Sequence, residues 1–215
     1  MQCNHRVLAT LFGGHIVAKV PAFAFDHTPT GRRQLRFACI PWVLFSLYWE
    51  VAVRNSAAAV ISESQASRGF HLVLSNVAVL LEIAPFRGLG RFLPASYLFI
   101  AVGLAVELMG LFLAIWARRC LGRNWSGEIS IKVEHTLIRF GPYKLLRHPI
   151  YTGLLAMYVG TALVTGRWLA IVGLALAVFA YWRKIRLEEA NLNVAFGADY
   201  DAYRRETWAL VPGVL

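Results

Sequence analysis

Apolar residues in this chain gather into long runs that polar segments separate. Five runs stand out, at residues 37–53, 70–86, 95–117, 150–165 and 168–182, and the third is the longest and least interrupted. About 20 apolar residues cross the hydrocarbon core of a bilayer as an α-helix, so runs of this kind predict membrane-spanning helices. We therefore expect an all-α integral membrane protein with about five transmembrane helices.

The last two apolar runs are separated only by Gly166 and Arg167. A link this short predicts an antiparallel helical hairpin. Because a hairpin returns the chain to the side it left, the polar segments on either side of it, 118–149 and 183–215, must lie on the same side of the membrane. Each arm is shorter than ~20 residues, so extension into the polar flanks is one way for it to cross.

Composition agrees with a membrane protein. The chain has 215 residues, of which 58% are hydrophobic and only 16% charged, with a formal net charge of +10. Excess Lys and Arg in a membrane protein is typical of cytoplasmic loops facing anionic lipid. No basic patch interleaved with aromatic residues favours nucleic acid. We expect membrane lipid as a partner, no nucleic acid, and a cytoplasmic location for segments 118–149 and 183–215, the second of which includes the C-terminus.

Cysteine usage gives no metal site. Cys3, Cys39 and Cys120 lie far apart and form no Cys-x-x-Cys pair, so neither a zinc site nor a disulfide framework is expected. No internal repeat or flexible linker divides the chain. We treat residues 1–215 as one domain, in which 1–117 form an N-terminal arm with three spans and 118–215 form a functional core.

A sharply turned polar segment precedes the fourth run. Residues 140–153 read Phe-Gly-Pro-Tyr-Lys-Leu-Leu-Arg-His-Pro-Ile-Tyr-Thr-Gly. Pro149 suits the first turn of a helix, where its missing N–H does no harm. The free N–H groups of that turn, with Arg147 and His148 beside them, predict a site for an anion at the membrane surface.

The chain after the fifth run is charged and amphipathic. It carries the adjacent carboxylates Glu188 and Glu189 on the expected continuation of the fifth helix. Gly197 is expected to end that helix in a left-handed cap. A short helix containing Tyr200 and Tyr203 is expected to follow.

These two polar regions resemble the membrane methyltransferases related to isoprenylcysteine carboxyl methyltransferase. The first matching motif comprises Leu121-Gly122, Trp125-Ser126, His135, Gly141-Pro142-Tyr143, Arg147-His148-Pro149, Tyr151 and Gly153. The second comprises Glu188-Glu189, Leu192, Phe196-Gly197, Tyr200, Tyr203 and Pro212. Either motif alone is weak, but both occur in order with a hairpin between them.

The resemblance implies S-adenosylmethionine as methyl donor, S-adenosylhomocysteine as product, and a cytosolic cofactor pocket at the mouth of the hairpin. It implies a lipophilic acceptor such as a prenylated cysteine carboxylate, another lipid or a small hydrophobic molecule. The cofactor-binding residues implied are His135, Gly141, Pro142, Tyr143, Arg147, His148, Pro149, Tyr151, Gly153, Glu188 and Tyr200. The catalytic residues implied are Glu188, Glu189, Lys184 and Arg183.

The charges of the implied donor match this set. Its carboxylate needs hydrogen-bond donors, which Arg147, His148 and Tyr151 offer. Its ammonium and sulfonium need negative charge or aromatic faces. Glu188 or Glu189 offers the first, and Tyr143, Tyr181 or Trp182 the second.

The acceptor stays open at this point. A carboxylate or thiolate arrives deprotonated, whereas an amine must lose a proton, which Glu188 or Glu189 could take. The family tends to place Arg four residues before the first Glu of the pair, where this chain has Lys184. Lys lacks the bidentate geometry with which Arg binds a carboxylate.

Two alternatives compete with a methyltransferase. An NADPH-dependent membrane reductase of sterols or enones has a similar Arg-His-Pro segment and a Tyr-rich tail, but its cluster of Arg, Asp, Cys and Lys before the tail is absent. A non-enzymatic scaffold or transporter is the other. Within the third run, Glu107 is either a functional carboxyl group or a protonated side chain bonded across a helix interface.

Overall fold

The computed structural model describes residues 29–54, 61–62, 64–83, 89–122, 130–131 and 137–213. Within them the α-helices are α1 (Pro29–Val53), α2 (Gln65–Ile83), α3 (Tyr97–Leu121), α4 (Pro149–Thr165), α5 (Trp168–Phe196) and α6 (Ala198–Glu206). A 3-10 helix covers Gly141–Lys144, and the two-residue strands β1 (Ile61–Ser62) and β2 (Ser130–Ile131) pair antiparallel.

The predicted membrane spans are confirmed as helices. In the part of the chain that the structure describes, four segments are long and apolar enough to cross a bilayer, namely Gln34–Ala52 within α1 and the helices α2, α3 and α5. Helix α4 is apolar but shorter. Large apolar side chains point outward, as in Phe112, which is 68% exposed. Such faces suit contact with lipid. About five spans was therefore a sound expectation.

Two helices are longer than the hydrophobic pattern predicted. α1 begins at Pro29, within polar sequence, and α5 continues through a charged segment to Phe196. The 29 residues of α5 rise about 43 Å, more than the ~30 Å hydrocarbon core. The charged residues after Trp182 therefore lie on a part of α5 that extends beyond the apolar span. The helix ends as predicted at Gly197, whose φ is +49°, but its ψ of −121° lies outside the left-handed helical region, so the predicted left-handed cap is wrong.

The predicted hairpin between α4 and α5 is present. Gly166 adopts the left-handed conformation (φ 61°, ψ 26°), and its N–H donates to Ala162 O at 2.8 Å. Its own carbonyl accepts from the N–H groups of Phe92 (2.9 Å) and Leu93 (3.3 Å). A Cβ at position 166 would lie 3.1 Å from Leu93 O, so the left-handed conformation and the nearby backbone both favour glycine.

α3 and α4 approach each other through glycines. A Cβ at Gly160 would lie 2.6 Å from Gly103 O, and one at Gly153 would lie 2.5 Å from Gly110 O. Contacts this close explain why small residues occur at these positions.

Two carboxyl side chains are fully buried in the bundle, and glycines make room for both. Glu82 of α2 lies over Gly173 of α5, where an added Cβ would be 2.8 Å from the Glu82 Cγ. Glu107 of α3 lies over Gly160, where it would be 2.5 Å from the Glu107 Cγ. The small residues thus accommodate polar side chains as well as backbone.

Glu107 is hydrogen bonded across a helix interface. The Thr161 hydroxyl of α4 donates to its Oε1, and Trp42 Nε1 of α1 donates to Thr161 Oγ1 at 2.9 Å. This contact joins three helices and agrees with the structural role weighed for Glu107.

One end of the bundle carries the predicted functional residues, and we call it the site face. Arg118, near the end of α3, reaches the end of α1 there by donating to Ala52 O at 2.5 Å. Arg183 of α5 reaches the start of α2 by donating to Ser67 Oγ, also at 2.5 Å. The ends of α1 and α3 and the start of α2 therefore surround the mouth of the α4–α5 hairpin.

Candidate functional site

The turn before α4 is built as the sequence predicted. Gly141 opens the 3-10 helix with φ +62°, and a Cβ there would lie 2.7 Å from the Cys120 Sγ. Pro142 and Tyr143 are buried. Pro149 occupies the first position of α4 with His148 as its N-cap residue, so Pro149 starts the helix as expected.

His148 lies between the two glutamates of α5. Its Nδ1 is 3.4 Å from Glu188 Oε2, and its Nε2 is 3.3 Å from Glu189 Oε1. Burial alone would lower the pKa of His148, but its hydrogen bonds and charge interactions with Glu188 and Glu189 raise the pKa above its ordinary value. A carboxylate at each ring nitrogen favours the cationic form of the ring, in which both nitrogens are donors.

Each glutamate has a further donor. Arg147 Nε donates to Glu189 Oε1 at 2.9 Å, and the Tyr151 hydroxyl donates to Glu188 Oε1 at 2.5 Å. Burial would raise the pKa of Glu189, but the hydrogen bonds from His148 and Arg147 lower it to about 2. For Glu188, burial is likewise outweighed by His148 and then Tyr151, so its pKa lies below the usual range. Both carboxylates are ionised at neutral pH.

Aromatic rings flank this charged cluster. The rings of His148 and Tyr151 are stacked with centroids 5.8 Å apart, and Tyr151 lies 5.3 Å from Tyr181. Tyr181 is buried, in agreement with a ring facing the site, whereas Trp182 is 55% exposed and faces outward. The suggestion that Trp182 offers an aromatic face to a bound cation is therefore wrong.

The C-terminal residues 207–210 lie against the Arg-His-Pro turn, and we call them the strap. The Arg147 N–H donates to Trp208 O at 2.8 Å, and the His148 N–H donates to Ala209 O at 3.1 Å. The sequence led us to expect an anion at the free N–H groups of the first turn of α4, with Arg147 and His148 beside them. The backbone N–H groups of Arg147 and His148 themselves are occupied by carbonyls of the protein.

The Arg147 guanidinium is also committed to the protein. Its Nη1 donates to Arg204 O at 3.1 Å and to Thr207 O, while its Nε holds Glu189. Its side chain is only 9% exposed. Arg147 thus orients a carboxylate within the site.

Tyr200 offers a donor that the protein leaves unused. It is 1% exposed, and its hydroxyl has no hydrogen-bond partner among the described residues. Burial, and after it the charge of Glu189, raise the pKa of Tyr200, so the phenol is neutral. Tyr203 is different, because its hydroxyl donates to Tyr143 O at 2.7 Å and joins α6 to the 3-10 helix.

Lys184 and Arg183 of the predicted set point different ways. Lys184 is 4% exposed, and its charge helps to lower the pKa of Glu188 after His148 and Tyr151. Arg183 points to α2, where it bonds Ser67 and lies 5.2 Å from the ring centroid of Phe70. The structure does not bring Arg183 to the carboxylate pair.

Two predicted cofactor residues remain. Gly153 packs against α3, where an added Cβ would lie 2.8 Å from Ala114 N, so its position is explained by helix packing. His135 lies outside the described residues.

Thr152 of α4 makes a contact that the sequence did not predict. Its hydroxyl donates to Leu210 O at 2.8 Å. A backbone carbonyl of the strap carries no sequence signature, so nothing in the pattern indicated this contact.

Comparison with known proteins gives the family. Residues 98–199 match the family model described as phospholipid methyltransferase. Protein-S-isoprenylcysteine O-methyltransferase A of Arabidopsis thaliana is 32% identical over 146 residues, which are 66% of this chain and 72% of that protein. The B form is 28% identical over 193 residues, covering 86% of this chain and 96% of that protein. A probable protein-S-isoprenylcysteine O-methyltransferase of Oryza sativa subsp. indica is 33% identical over 121 residues, which are 54% of this chain and 63% of that protein.

The fold is similar to the solved structure of the eukaryotic intramembrane Ras methyltransferase ICMT (isoprenylcysteine carboxyl methyltransferase). The TM-score is 0.61 at 22% identity, and the match covers 88% of this chain and 70% of that one. These relatives are all methyltransferases, so the reductase and scaffold alternatives gain no support. The resemblance seen in the two sequence motifs is confirmed, and the chain belongs to the isoprenylcysteine carboxyl methyltransferase family of membrane methyltransferases.

Proposed function

We propose that the protein transfers a methyl group from S-adenosylmethionine to a lipophilic acceptor at the membrane, with the carboxylate of an isoprenylcysteine-like molecule as the best candidate. The observation that carries this is the ionised Glu188–Glu189 pair held by Arg147, His148 and Tyr151 at the mouth of the hairpin. The protein's relatives in Arabidopsis thaliana are named for methyl transfer to isoprenylcysteine.

The side chains of the site fit the charged groups of S-adenosylmethionine. When bound, S-adenosylmethionine supplies an electrophilic methyl group on a sulfonium. Glu188 is ionised and its side chain is 24% exposed, so it can still face a cation. The Tyr200 hydroxyl, which has no hydrogen-bond partner among the described residues, is a neutral donor suited to a carboxylate. Tyr151 and Tyr181 add aromatic faces that favour a cation.

The protein's own residues then act by binding and orientation. An acceptor carboxylate is already ionised at neutral pH and needs no general base, so alignment supplies most of the catalysis. His148 and Arg147 keep Glu188 and Glu189 ionised and fixed in direction. We assign to the buried Lys184 the positive charge that faces the acceptor carboxylate. The predicted core, residues 118–215, contains all of these groups.

Calorimetric titration with S-adenosylhomocysteine tests the site. We expect His148→Ala and Glu188→Ala to lose binding while the thermal unfolding transition is kept. Glu50→Ala removes an exposed carboxylate on α1 and serves as the matched control, with unchanged affinity. Full affinity in both site variants, or protection of the wild-type protein by NADPH but not by S-adenosylhomocysteine, would overturn the proposal.

The acceptor is tested with a farnesylated cysteine derivative and its carboxamide. Methyl transfer to the free carboxylate but not to the carboxamide is expected. Transfer only to a phospholipid amine would instead assign a different acceptor to the same site.

We also propose that the site face is cytoplasmic, because it carries exposed basic residues such as Arg119, Arg139 and Lys144. A C-terminal fusion to green fluorescent protein should fluoresce when the protein is made in the bacterial inner membrane. An active alkaline phosphatase fusion at the same terminus would place that terminus in the periplasm and contradict the orientation.

A further inference from the structure

We propose that the strap, residues 207–210, is a positioning element of the donor site that acts through Arg147 on Glu189. This rests on the proposed function, since it assigns to the strap the orientation of a carboxylate that faces the donor. Arg147 is then a positioning residue and not a direct ligand of the donor.

The backbone geometry fixes the strap to the Arg-His-Pro turn. Trp208 N donates to Leu145 O at 3.0 Å, and Trp208 O accepts from Arg147 N at 2.8 Å, which forms a parallel bridge. His148 N donates to Ala209 O at 3.1 Å and extends the pairing by one residue. Three backbone hydrogen bonds therefore set the direction in which Arg147 and His148 leave the chain.

The Arg147 side chain transmits this direction to α5. Its Nη1 donates to the carbonyls of Arg204 and Thr207, and its Nε donates to Glu189. A guanidinium is planar, so fixing Nη1 on the two carbonyls fixes the direction of the Nε–H that donates to Glu189. A Lys ammonium could pair with Glu189 but could not reproduce this fixed fork.

Both ends of the strap are themselves anchored. The Thr207 hydroxyl donates to Tyr203 O at 2.6 Å, and Thr207 is 8% exposed. At the other end Leu210 O accepts from the Thr152 hydroxyl of α4 at 2.8 Å. The strap is thus held by α6 on one side and α4 on the other, which suits a fixed support.

A double-mutant cycle on the full-length protein tests the inference. Trp208→Pro deletes the N–H that bonds Leu145, while Trp208→Ala keeps that N–H and serves as the matched control. We expect the Kd of S-adenosylhomocysteine to rise about tenfold in Trp208→Pro and in Arg147→Lys, and to change little in Trp208→Ala. Both changes break the same link, so the Kd of the double variant should be no higher than the higher Kd of the two single variants.

The pH dependence of S-adenosylhomocysteine binding separates positioning from general damage to the fold. In the wild-type protein the pKa of Glu189 is lowered by His148 and then by Arg147. Loosening Arg147 raises the pKa of Glu189. The loss of binding at low pH, which we call the acid limb, should therefore begin at a higher pH in Trp208→Pro and Arg147→Lys than in the wild-type protein. Global destabilisation would lower the unfolding temperature without moving that limb.

The inference would be overturned if the fold-changes in Kd of the two single variants multiplied in the double variant. It would also be overturned if the acid limb stayed in place in both single variants. If Trp208→Pro fails to fold, the variants Arg147→Lys and Arg147→Gln test the inference instead. An unchanged Kd and an unchanged pH dependence of binding in both would refute a role for Arg147. If the wild-type protein does not bind S-adenosylhomocysteine, the proposed function has failed instead.

Discussion

Tyr151→Phe removes a single oxygen atom from the site and leaves the rest of the ring in place. The lost hydroxyl donates to Glu188 at 2.5 Å, a charge-assisted hydrogen bond. Such bonds contribute about 1.5–3 kcal/mol, and partial exposure of Glu188 lets water replace some of that. We therefore expect a loss of about 1–2 kcal/mol in donor binding, or roughly five- to thirtyfold in Kd. The stacking of the ring on His148 should be kept.

The pH profile gives the prediction its sign. His148 first, and then Tyr151, hold the pKa of Glu188 below its usual range. Without the Tyr151 hydroxyl the pKa rises, so Glu188 becomes protonated at a higher pH than in the wild-type protein. The loss of affinity should be largest at acid pH and should shrink as the pH rises. Calorimetric titration with S-adenosylhomocysteine across this range measures it.

Tyr97→Phe is the matched control. Tyr97 is 80% exposed at the start of α3, the opposite end of that helix from Arg118 on the site face. This change should alter neither the affinity for S-adenosylhomocysteine nor its pH dependence. An equal loss of affinity at every pH in Tyr151→Phe, or no loss, would refute the argument that this hydroxyl keeps Glu188 ionised.

Two further predictions concern the bundle. Gly160→Leu should destabilise the protein by at least about 1–3 kcal/mol, because even a Cβ there would lie within 2.7 Å of Gly103 and Glu107. Gly69→Ala, where nothing lies within 4 Å, should not lower the unfolding temperature measured in detergent. Glu107→Gln should retain the fold, since an amide oxygen still accepts from Thr161. Glu107→Lys should not be recovered as folded protein, because it buries a charge within the bundle. Recovery of stable Glu107→Lys protein by size-exclusion chromatography would contradict that reading.

The hydrophobic pattern was enough to predict the spans but not all of their ends. α3 and the hairpin are continuous apolar runs, so length and the Gly166-Arg167 link determined them. α5 continues past Trp182 because a helix needs no apolar side chains once it leaves the bilayer. Hydropathy therefore has no signal for its true end, and Gly197 was the better guide.

The site was predictable where charged side chains carry it. His148, Glu188 and Glu189 were recognised from two motifs, and the structure brings them together. Two things were not readable. Neighbouring residues on a helix point about 100° apart, and the sequence does not say whether Arg183 or Lys184 faces inward. The strap binds through backbone carbonyls, which every residue possesses, so its contacts with Arg147 have no pattern to be found.

The turn at Gly166 has a consequence for how α4 and α5 can move. Its carbonyl accepts from the N–H groups of Phe92 and Leu93, and the Trp168 N–H donates to Gly90 O at 3.4 Å. The two helices are therefore tied to the preceding loop at the end of the bundle remote from the charged cluster. At the other end of the hairpin, a separation of α4 from α5 would break the contacts of His148 and Tyr151 with Glu188. The hairpin is therefore fastened at both of its ends, by backbone hydrogen bonds at the turn and by charged side chains at the site face.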